Sequence, residues 1–293
     1  MNDLGINRIS PSALDLYERC PKAFYYRVFL GLMLPEEDRR HLEFGTAIHS
    51  ALENLYVQYD DNFKGAWEVA DFKQVENRFL GIWKPHIISE SEFERFKLTK
   101  KGRESNFVNA LGLYNYMKKD GLDMLKSYWN HKEWLLAEHL VNVKEGEKYM
   151  KIEIVNPNNK EEKLSIPMAL RIDGISKEGN IIEFKTSGAK YSENEAKQKI
   201  QGQCYSFAQY QETGKKRVPE VSYVVLLKDR RTDERIQVVH LKYDEFDMVV
   251  FYHRVDAILK RIRNREFSKQ KIGHLPYCEC LKFDELLNVD KLK

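Results

Sequence analysis

Residues 170–186, LRIDGISKEGNIIEFKT, decide how this sequence is interpreted. Two apolar runs flank the polar segment KEGN, which has the composition of a hairpin turn. Side chains alternate between the two faces of a strand, so Glu183 and Lys185 share one face and Phe184 points into the core. The hairpin turn returns Asp173 to the neighbourhood of Glu183. The stretch therefore predicts two carboxylates and an ammonium group at one edge of a sheet.

These three side chains suit metal-assisted hydrolysis. Paired carboxylates are hard ligands for Mg²⁺ or Mn²⁺, and such an ion polarises a phosphate oxygen and lowers the pKa of a bound water. A lysine beside the ion can orient that water or offset developing negative charge. An isolated D…ExK pattern is short and common, and alone it indicates only a solvated strand face with a Glu–Lys pair. The surrounding sequence has to decide between these interpretations.

The N-terminal part of the chain, residues 10–130, is typical of helices. Ser10-Pro11 predicts a helix start, Cys20-Pro21 predicts a break, and Phe44-Gly45-Thr46 opens a second helix. The stretch KLTKKGR at 97–103 predicts a basic loop. Apolar periodicity predicts further helices over residues 71–83, 103–118 and 121–131.

The pattern then changes to strands. Residues 133–243 contain β-rich runs separated by polar turns, with one helix at 193–212, and a long helix follows at 244–264. We predict an α/β fold with a mixed central sheet: a β-meander, a crossover helix and further strands, preceded by a helical region. Three parts are expected within one integrated domain, namely residues 1–132, residues 133–264 and a tail at 265–293.

The composition is that of a folded chain with balanced charge. Of 293 residues, 42% are hydrophobic and 12% aromatic, so a packed core is expected. The 48 Lys+Arg against 45 Asp+Glu give a net charge of only +3, so nucleic-acid contacts must use local patches. Three basic groups are candidates: Lys97, Lys100, Lys101 and Arg103; Arg261, Arg263, Arg265, Lys269 and Lys271; and Lys228, Arg230 and Arg231.

The sequence also indicates the compartment. No apolar run approaches the roughly 18 residues of a membrane span, so no membrane partner is expected. The opening MNDLGINRIS lacks a basic segment followed by an apolar core, and we expect no secretory signal. Four cysteines in a chain of this length do not make a disulfide scaffold. We expect a cytoplasmic protein of prokaryotic or phage origin.

The motif resembles the core of the PD-(D/E)XK nuclease superfamily, whose fold is that of restriction endonucleases. Four further features resemble its RecB-like branch, which includes the nuclease domains of RecBCD and AddAB and the CRISPR-associated exonucleases. They are the opening helix ISPSALDLYERCPKAFYYRVFLGL, the Gly45…His49 helix, Glu138 in LLAEHLVNV, and the Gln201…Tyr205 helix. Each feature is weak alone, but the order and spacing hold across residues 9–210.

The resemblance implies a role for each matching residue. It implies metal ligation by His49, Asp173, Glu183 and the Phe184 carbonyl, catalysis by Lys185, positioning and DNA contact by Gln201 and Tyr205, and an auxiliary acid at Glu138. Periodicity leaves alternatives open. His49 lies at the border of an apolar stripe, where a half-buried structural histidine is common. Glu138 also fits a buried carboxylate bonded to the lysine, and Tyr205 also fits simple core packing.

The cysteines depart from the resemblance. Members that carry an iron–sulfur cluster have one cysteine at the position of Cys20 and three near the C-terminus, whereas only Cys278 and Cys280 follow here. Cys204 lies on an apolar stripe and is predicted to be core. Three thiolates fall short of the four that a [4Fe–4S] cluster takes, so the sequence disfavours a cluster. Cys278 and Cys280 are then either a remnant of one or metal ligands together with Cys20.

The resulting interpretation is a Mg²⁺- or Mn²⁺-dependent deoxyribonuclease, acting as an exonuclease in recombination, repair or phage DNA metabolism. One alternative is a CRISPR-adaptation-type nuclease that trims ends for an integrase. Another is an inactive DNA-binding or assembly subunit, although such members commonly lose one of the core residues retained here as Asp173, Glu183 and Lys185. No phosphate-loop motif is present, so unwinding would need a partner such as a helicase, and a recombinase is a further candidate partner.

Overall fold

The computed structural model describes most of the chain. The described residues are 6–33, 40–53, 71–131, 134–135, 143–145, 147–214, 216–230, 235–268 and 278–289. Glu138 and most of its predicted strand lie outside them.

The strands follow one another through the second half of the chain. They are β1 (Val143–Glu145), β2 (Lys148–Ile152), β3 (Val155–Asn156), β4 (Asn159–Lys163), β5 (Met168–Ile172), β6 (Gly174–Ser176), β7 (Ile181–Ser187), β8 (Val221–Leu227) and β9 (Ile236–Leu241). Five of them form the central sheet in the order β1-β6-β7-β8-β9. Only β7 and β8 run parallel within it, which confirms the mixed sheet. Separate antiparallel pairs join β2 to β5 and β3 to β4.

The helices surround this sheet. They are α1 (Pro11–Arg19), α2 (Pro21–Phe24), α3 (Arg40–Glu53), α4 (Phe72–Ile82), α5 (Glu90–Leu98), α6 (Lys100–Glu104), α7 (Ala110–Asn130), α8 (Glu193–Gln198), α9 (Ile200–Glu212), α10 (Glu245–Arg263) and α11 (Glu279–Val289). A π-helical turn, Tyr25–Phe29, continues α2. The crossover from β7 to β8 is helical, as the sequence predicts, but the single helix expected over 193–212 is broken at Lys199 into α8 and α9. No helix of the described residues is long and apolar enough to cross a membrane.

Local chemistry sets the first helices. The Ser10 hydroxyl accepts the Ala13 backbone N–H at 3.2 Å, which caps α1, and Pro11 occupies its first position. The helix ends at Arg19 because Pro21 follows. Cys20 then begins α2, and its sulfur accepts the Ala23 N–H at 3.4 Å. The predicted cap and break are both found.

Two apolar cores lie on opposite faces of β7 and β8. On one face Ile181, Tyr223 and Val225 pack with helices α9 and α10. On the other, Phe184 and Val224 pack with α3, α4 and α7. This division follows from the alternation of side chains along a strand. It confirms that Phe184, 2% exposed, points into the core, away from Glu183 and Lys185.

The structure corrects three helix boundaries. The stretch 97–103 is not a loop: α5 ends at Leu98 and α6 begins at Lys100, with Thr99 capping α6 through its hydroxyl. The helices predicted at 103–118 and 121–131 are one continuous helix, α7. Helix α3 begins at Arg40, a turn before the predicted start at Phe44.

Candidate active site

The hairpin that follows Asp173 brings this residue beside Glu183. Asp173 lies at the bend between β5 and β6, and the next residue, Gly174, pairs with Ile182 on β7. Gly179 closes the turn with a φ of +82°, a conformation that favours glycine. The Phe184 backbone N–H donates to Asp173 Oδ2 at 2.8 Å. The predicted approach of the two acids is therefore present, and one of them is held by the backbone of the motif itself.

Glu183 is the most enclosed of the charged groups, at 2% exposure. Lys185, two residues along the same face, places its Nζ 2.5 Å from Glu183 Oε1. Gln201 and Tyr205 reach the same oxygen from one face of α9. Gln201 Nε2 donates to Glu183 Oε1 at 3.0 Å and to Tyr205 Oη at 2.7 Å, and Tyr205 Oη donates to Glu183 Oε1 at 3.4 Å. Tyr205 is thus both buried and part of the site.

His49 completes the cluster from the N-terminal region. Its Nδ1 lies 3.3 Å from Asp173 Oδ1, and its ring contacts Phe184 edge-on. Helix α3 passes close to β7 here: a Cβ atom built on Gly45 would lie only 4.0 Å from Thr186 Oγ1. The Gly45…His49 spacing therefore places a small residue at the helix–sheet contact and an imidazole one turn later.

The charges in this cluster shift one another's ionisation. Burial, together with the Asp173 charge, raises the pKa of Glu183 to about 7. Burial opposes ionisation of Asp173 as well, but the hydrogen bond and charge of His49, the Lys185 charge and the Phe184 N–H together outweigh it and lower the pKa of this carboxyl. Burial likewise opposes charge on Lys185, and the Glu183 carboxylate overcomes it and raises the pKa of the lysine. In this site, the lysine and the histidine offset the cost of burying the two carboxyl groups.

The ligand atoms of the candidate metal site are near one another, but they are too widely spaced to share one ion without side-chain movement. Among the described residues, only Cys20, Cys278 and Cys280 form a group whose ligand atoms all lie within 4.8 Å of one another. His49, Asp173 and Glu183 do not form such a group. Lys185 and Gln201 contact one oxygen of Glu183, whereas the buried Oε2 has no hydrogen-bond partner among the described residues. One carboxylate oxygen is therefore available to a cation.

Comparison with known proteins assigns the chain to a family. The family model of the PD-(D/E)XK nuclease superfamily matches residues 8–282. The chain belongs to this superfamily. A solved structure of a candidate exonuclease from Eubacterium rectale is similar, with a TM-score of 0.50 and 11% identity over 94% of this chain and 88% of that chain. At that identity the similarity concerns the fold alone. A comparison with curated proteins finds no match.

Membership of the PD-(D/E)XK superfamily makes the chain a nuclease and, in reaction class, a hydrolase of phosphodiester bonds. The residues that the sequence assigns to the core motif all lie in the described cluster, apart from Glu138. The RecB-like branch and the roles of the individual residues stay predictions.

An open cleft of about 630 Å³ leads to the two carboxylates of this PD-(D/E)XK nuclease. Arg8 lies on one wall, in the segment before α1, and Tyr149 on β2 and Arg171 on β5 contribute to the lining. The sequence analysis did not identify these three residues. Arg171 shares strand parity with Asp173 and could have been found from it, whereas Arg8 and Tyr149 reach the cleft through pairing between segments distant in sequence.

The basic patches of this nuclease are partly engaged in internal contacts. Lys97 donates to the carbonyls of Ser105 at 3.3 Å and Phe107 at 3.4 Å, and Lys101 pairs with Asp229. Further members have internal partners or lie outside the described residues. Arg103 donates to the Leu98 carbonyl, Arg261 pairs with Glu266, Arg263 contacts Ser165, and Lys228 lies over the Phe44 ring. Outside the described part of the chain lie the Lys100 side chain, Arg231, Lys269 and Lys271. Their roles in DNA binding stay predictions.

The cysteines divide as the sequence predicts for Cys204, which is fully buried in the main core. The other three cysteines are distant in sequence but close in space. Cys20, between α1 and α2, lies in a small separate core with Cys280 of α11, and Cys278 packs against this core. Burial raises the pKa of the Cys20 and Cys280 thiols.

Proposed function

We propose that the chain is a metal-dependent DNA nuclease, acting as an exonuclease in recombination, repair or phage DNA metabolism. The observation that carries the proposal is the cluster of Asp173, Glu183, Lys185 and His49 beside an open cleft. Superfamily membership supplies the reaction class. The metal dependence, the DNA substrate and the cleavage from an end are what we propose in addition to this reaction class.

The donor set fits a hard divalent cation. Glu183 Oε2 is buried without a hydrogen-bond partner among the described residues, so a cation there would satisfy a group that is otherwise costly to bury. Carboxylate and carbonyl oxygens with one imidazole are ligands that Mg²⁺ and Mn²⁺ accept. We assign Glu183, Asp173, His49 and the Phe184 carbonyl as these ligands. Small side-chain rotations would have to bring the three side chains within coordination distance.

The other residues would act around the reacting phosphate. A bound Mg²⁺ or Mn²⁺ polarises a phosphate oxygen and lowers the pKa of a water. The Lys185 side chain is 23% exposed, so its ammonium can reach a water or a phosphate oxygen while it stays paired with Glu183. Gln201 and Tyr205 are positioning residues, because their hydrogen bonds fix the carboxylate of Glu183.

The cleft favours a single strand over a closed duplex. Tyr149 is 60% exposed, and an aromatic ring of this kind can stack on an unpaired base. Arg8 is exposed and has no ion pair or hydrogen bond with another described residue, so it is available to a phosphate. Arg171 lies directly opposite Tyr149 in the strand pairing and pairs with Glu147. We infer that a single-stranded end enters along these residues.

Degradation of end-labelled DNA tests the proposal. Single- and double-stranded oligonucleotides of equal length would be incubated with Mg²⁺, with Mn²⁺ and with chelator. We expect metal-dependent shortening from one end, faster on single strands, with Mn²⁺ at least as effective as Mg²⁺ because an imidazole is a softer ligand than oxygen. Cleavage of a circular single strand would contradict the exonuclease mode.

An isosteric variant links the cleavage to the cluster. Glu183→Gln removes the charge of the buried carboxylate and should abolish cleavage, whereas Glu161→Gln on the exposed strand β4 should leave it unchanged. Wild-type protein that binds DNA but shows no cleavage with either metal would instead support the inactive DNA-binding or assembly subunit.

A further inference from the structure

We propose that Cys20, Cys278 and Cys280 bind one thiophilic divalent cation of the Zn²⁺ type, at a site separate from the nuclease centre. The three sulfurs all lie within 4.8 Å of one another, although Cys20 and Cys278 are 258 positions apart in sequence. They are the only group of this kind among the described residues. The proposal is independent of the nuclease mechanism, because none of the three cysteines lines the catalytic cleft.

The spacing of the sulfurs favours a single ion. Thiolates that share one tetrahedral Zn²⁺ at 2.3 Å stand about 3.8 Å apart, which fits within the observed limit. Thiolates of a [4Fe–4S] cluster bind separate irons and are therefore spread more widely, and they number four. Cys278 and Cys280 are also two residues apart, which suits two ligands of the same ion. A water would supply the fourth ligand.

The surroundings suit a structural site. Cys20 and Cys280 are buried and Cys278 is half-buried, so an ion could enter from the side of Cys278. The Ala23 backbone N–H donates to Cys20 Sγ at 3.4 Å, and such a bond favours a thiolate at that position. Soft thiolate ligands select Zn²⁺ over Mg²⁺ and Mn²⁺. The sulfur site and the oxygen-rich nuclease site would therefore select different metals, because their ligand atoms differ.

A bound ion would fasten the last described helix to the first ones. Helix α11 has 11 residues, and a helix of that length is marginal by itself. It docks on α2 and the π-helical turn through the buried Phe283 and through ion pairs Arg27–Glu279 and Lys22–Asp284, each at 2.6 Å. Cys278 and Cys280 flank the first residue of α11, so a shared ion would fix its start against Cys20.

Cobalt titration of the reduced, metal-free full chain tests the site. Co²⁺ bound by thiolates absorbs through sulfur-to-metal charge transfer, whereas Co²⁺ in the carboxylate and imidazole site lacks that absorption. We expect one equivalent of Co²⁺ to give the thiolate absorption and Zn²⁺ to abolish it by displacement. Cys278→Ser, at a half-buried position that tolerates the change, should weaken binding by at least the roughly hundredfold that losing a supporting residue costs at metal sites.

Cys204→Ala is the matched control, since Cys204 is buried elsewhere and is not part of the group. It should titrate like the wild type. The proposal is overturned if the wild type gives no thiolate absorption, or if Cys204→Ala loses it as fully as Cys278→Ser does. It is also overturned if the protein purified without oxygen contains about four irons with sulfide per chain, or if Cys20 and Cys280 form a disulfide that persists under the reducing titration conditions.

Discussion

A carboxylate that is 2% exposed, such as that of Glu183, needs compensation from its neighbours. Lys185 provides the opposite charge, and Gln201 provides a hydrogen bond to the same oxygen. Asp173 is compensated separately by His49 and by the Phe184 backbone N–H. Each acid therefore has its own partners, which places two carboxyl groups close together without leaving either buried alone.

Lys185→Ala should lower the cleavage rate by about a hundredfold to a thousandfold, the usual cost of losing an electrostatic contact to the transition state. DNA affinity should change little, because phosphate contacts are spread over many cations. Folding should persist, since Phe184 makes the core contact of this strand and Glu183, whose pKa is already raised to about 7, can take up a proton and keep its hydrogen bond from Gln201. Single-turnover cleavage and a filter-binding titration would measure the two effects. Lys160→Ala on the exposed strand β4 is the control, and equal cleavage by both variants would remove Lys185 from the mechanism.

Tyr149→Ala should weaken single-strand binding, because base stacking on an aromatic ring is worth about 1–3 kcal/mol. Duplex DNA keeps its bases paired, so its binding should change much less. Fluorescence anisotropy with labelled single and double strands would measure both. The exposed Phe246 on α10 does not line the cleft, and Phe246→Ala should bind both forms like the wild type. An equal loss for both forms in Tyr149→Ala would argue against stacking.

At the level of elements, close packing decides where a helix needs glycine. A Cβ atom on Gly121 of α7 would lie 2.5 Å from Cζ of Phe79 on α4, and 3.1 Å from Phe44 on α3. Phe79 is fully buried and packs against Trp83, so little free space surrounds its ring. The contact explains why a glycine lies inside a continuous helix of 21 residues.

Gly121→Ala should therefore destabilise the protein by about 1–3 kcal/mol, the usual effect of overpacking a core. Gly112→Ala in the same helix meets only ordinary contacts, 3.5 Å from Asn109 Oδ1 and 3.9 Å from Phe107. It should stabilise by about 0.4–1 kcal/mol, because alanine restricts the unfolded chain. Urea unfolding of both variants would measure the difference. Stabilisation by both substitutions would show that the three helices pack less closely than described.

Elements governed by local pattern could be predicted from the sequence, and elements governed by contact between distant segments could not. The hairpin before β7, the orientation of Phe184 and the start of α1 follow from alternation and capping within a few residues. The sequence pattern wrongly divided α7 near Gly121, because the ring of Phe79 that requires a glycine there lies about 40 residues away in sequence. Helix α6 depends on a Thr99 cap inside a basic run, which obscured it.

The same distinction applies to the candidate site. Asp173 and Glu183 were predictable neighbours, since a single turn joins them. The lining of the cleft by Arg8 was not, because it depends on the bridge between Ile9 and Met168 that brings the N-terminal segment against β5. The proximity of Cys20 to Cys280 was one of two alternatives that the resemblance left open, and local pattern could not decide it, since it depends on where the last described helix docks.

At the scale of the whole molecule, the two cores share the same strands. Ile181 and Val225 belong to one core, and Phe184 and Val224 to the other, on opposite faces of β7 and β8. A buried pair, Arg235 to Asp120 at 2.6 Å, also ties the sheet to α7. Separation of the helical part from the sheet would expose one face of both central strands. One integrated domain, as the sequence predicts, should therefore unfold in one step.

The tryptophans make this prediction testable in the full chain. Three of the four, Trp83, Trp129 and Trp134, lie among the described helices that precede β1, so their fluorescence reports on the helical part. Leu259→Ala, in α10 and in the other core, should cost about 2–5 kcal/mol. If the molecule unfolds as one unit, the urea midpoint followed by tryptophan fluorescence must fall together with the midpoint followed by circular dichroism. A fluorescence midpoint that stays at the wild-type value, while part of the dichroism is lost earlier, would show that the helical part and the sheet unfold separately.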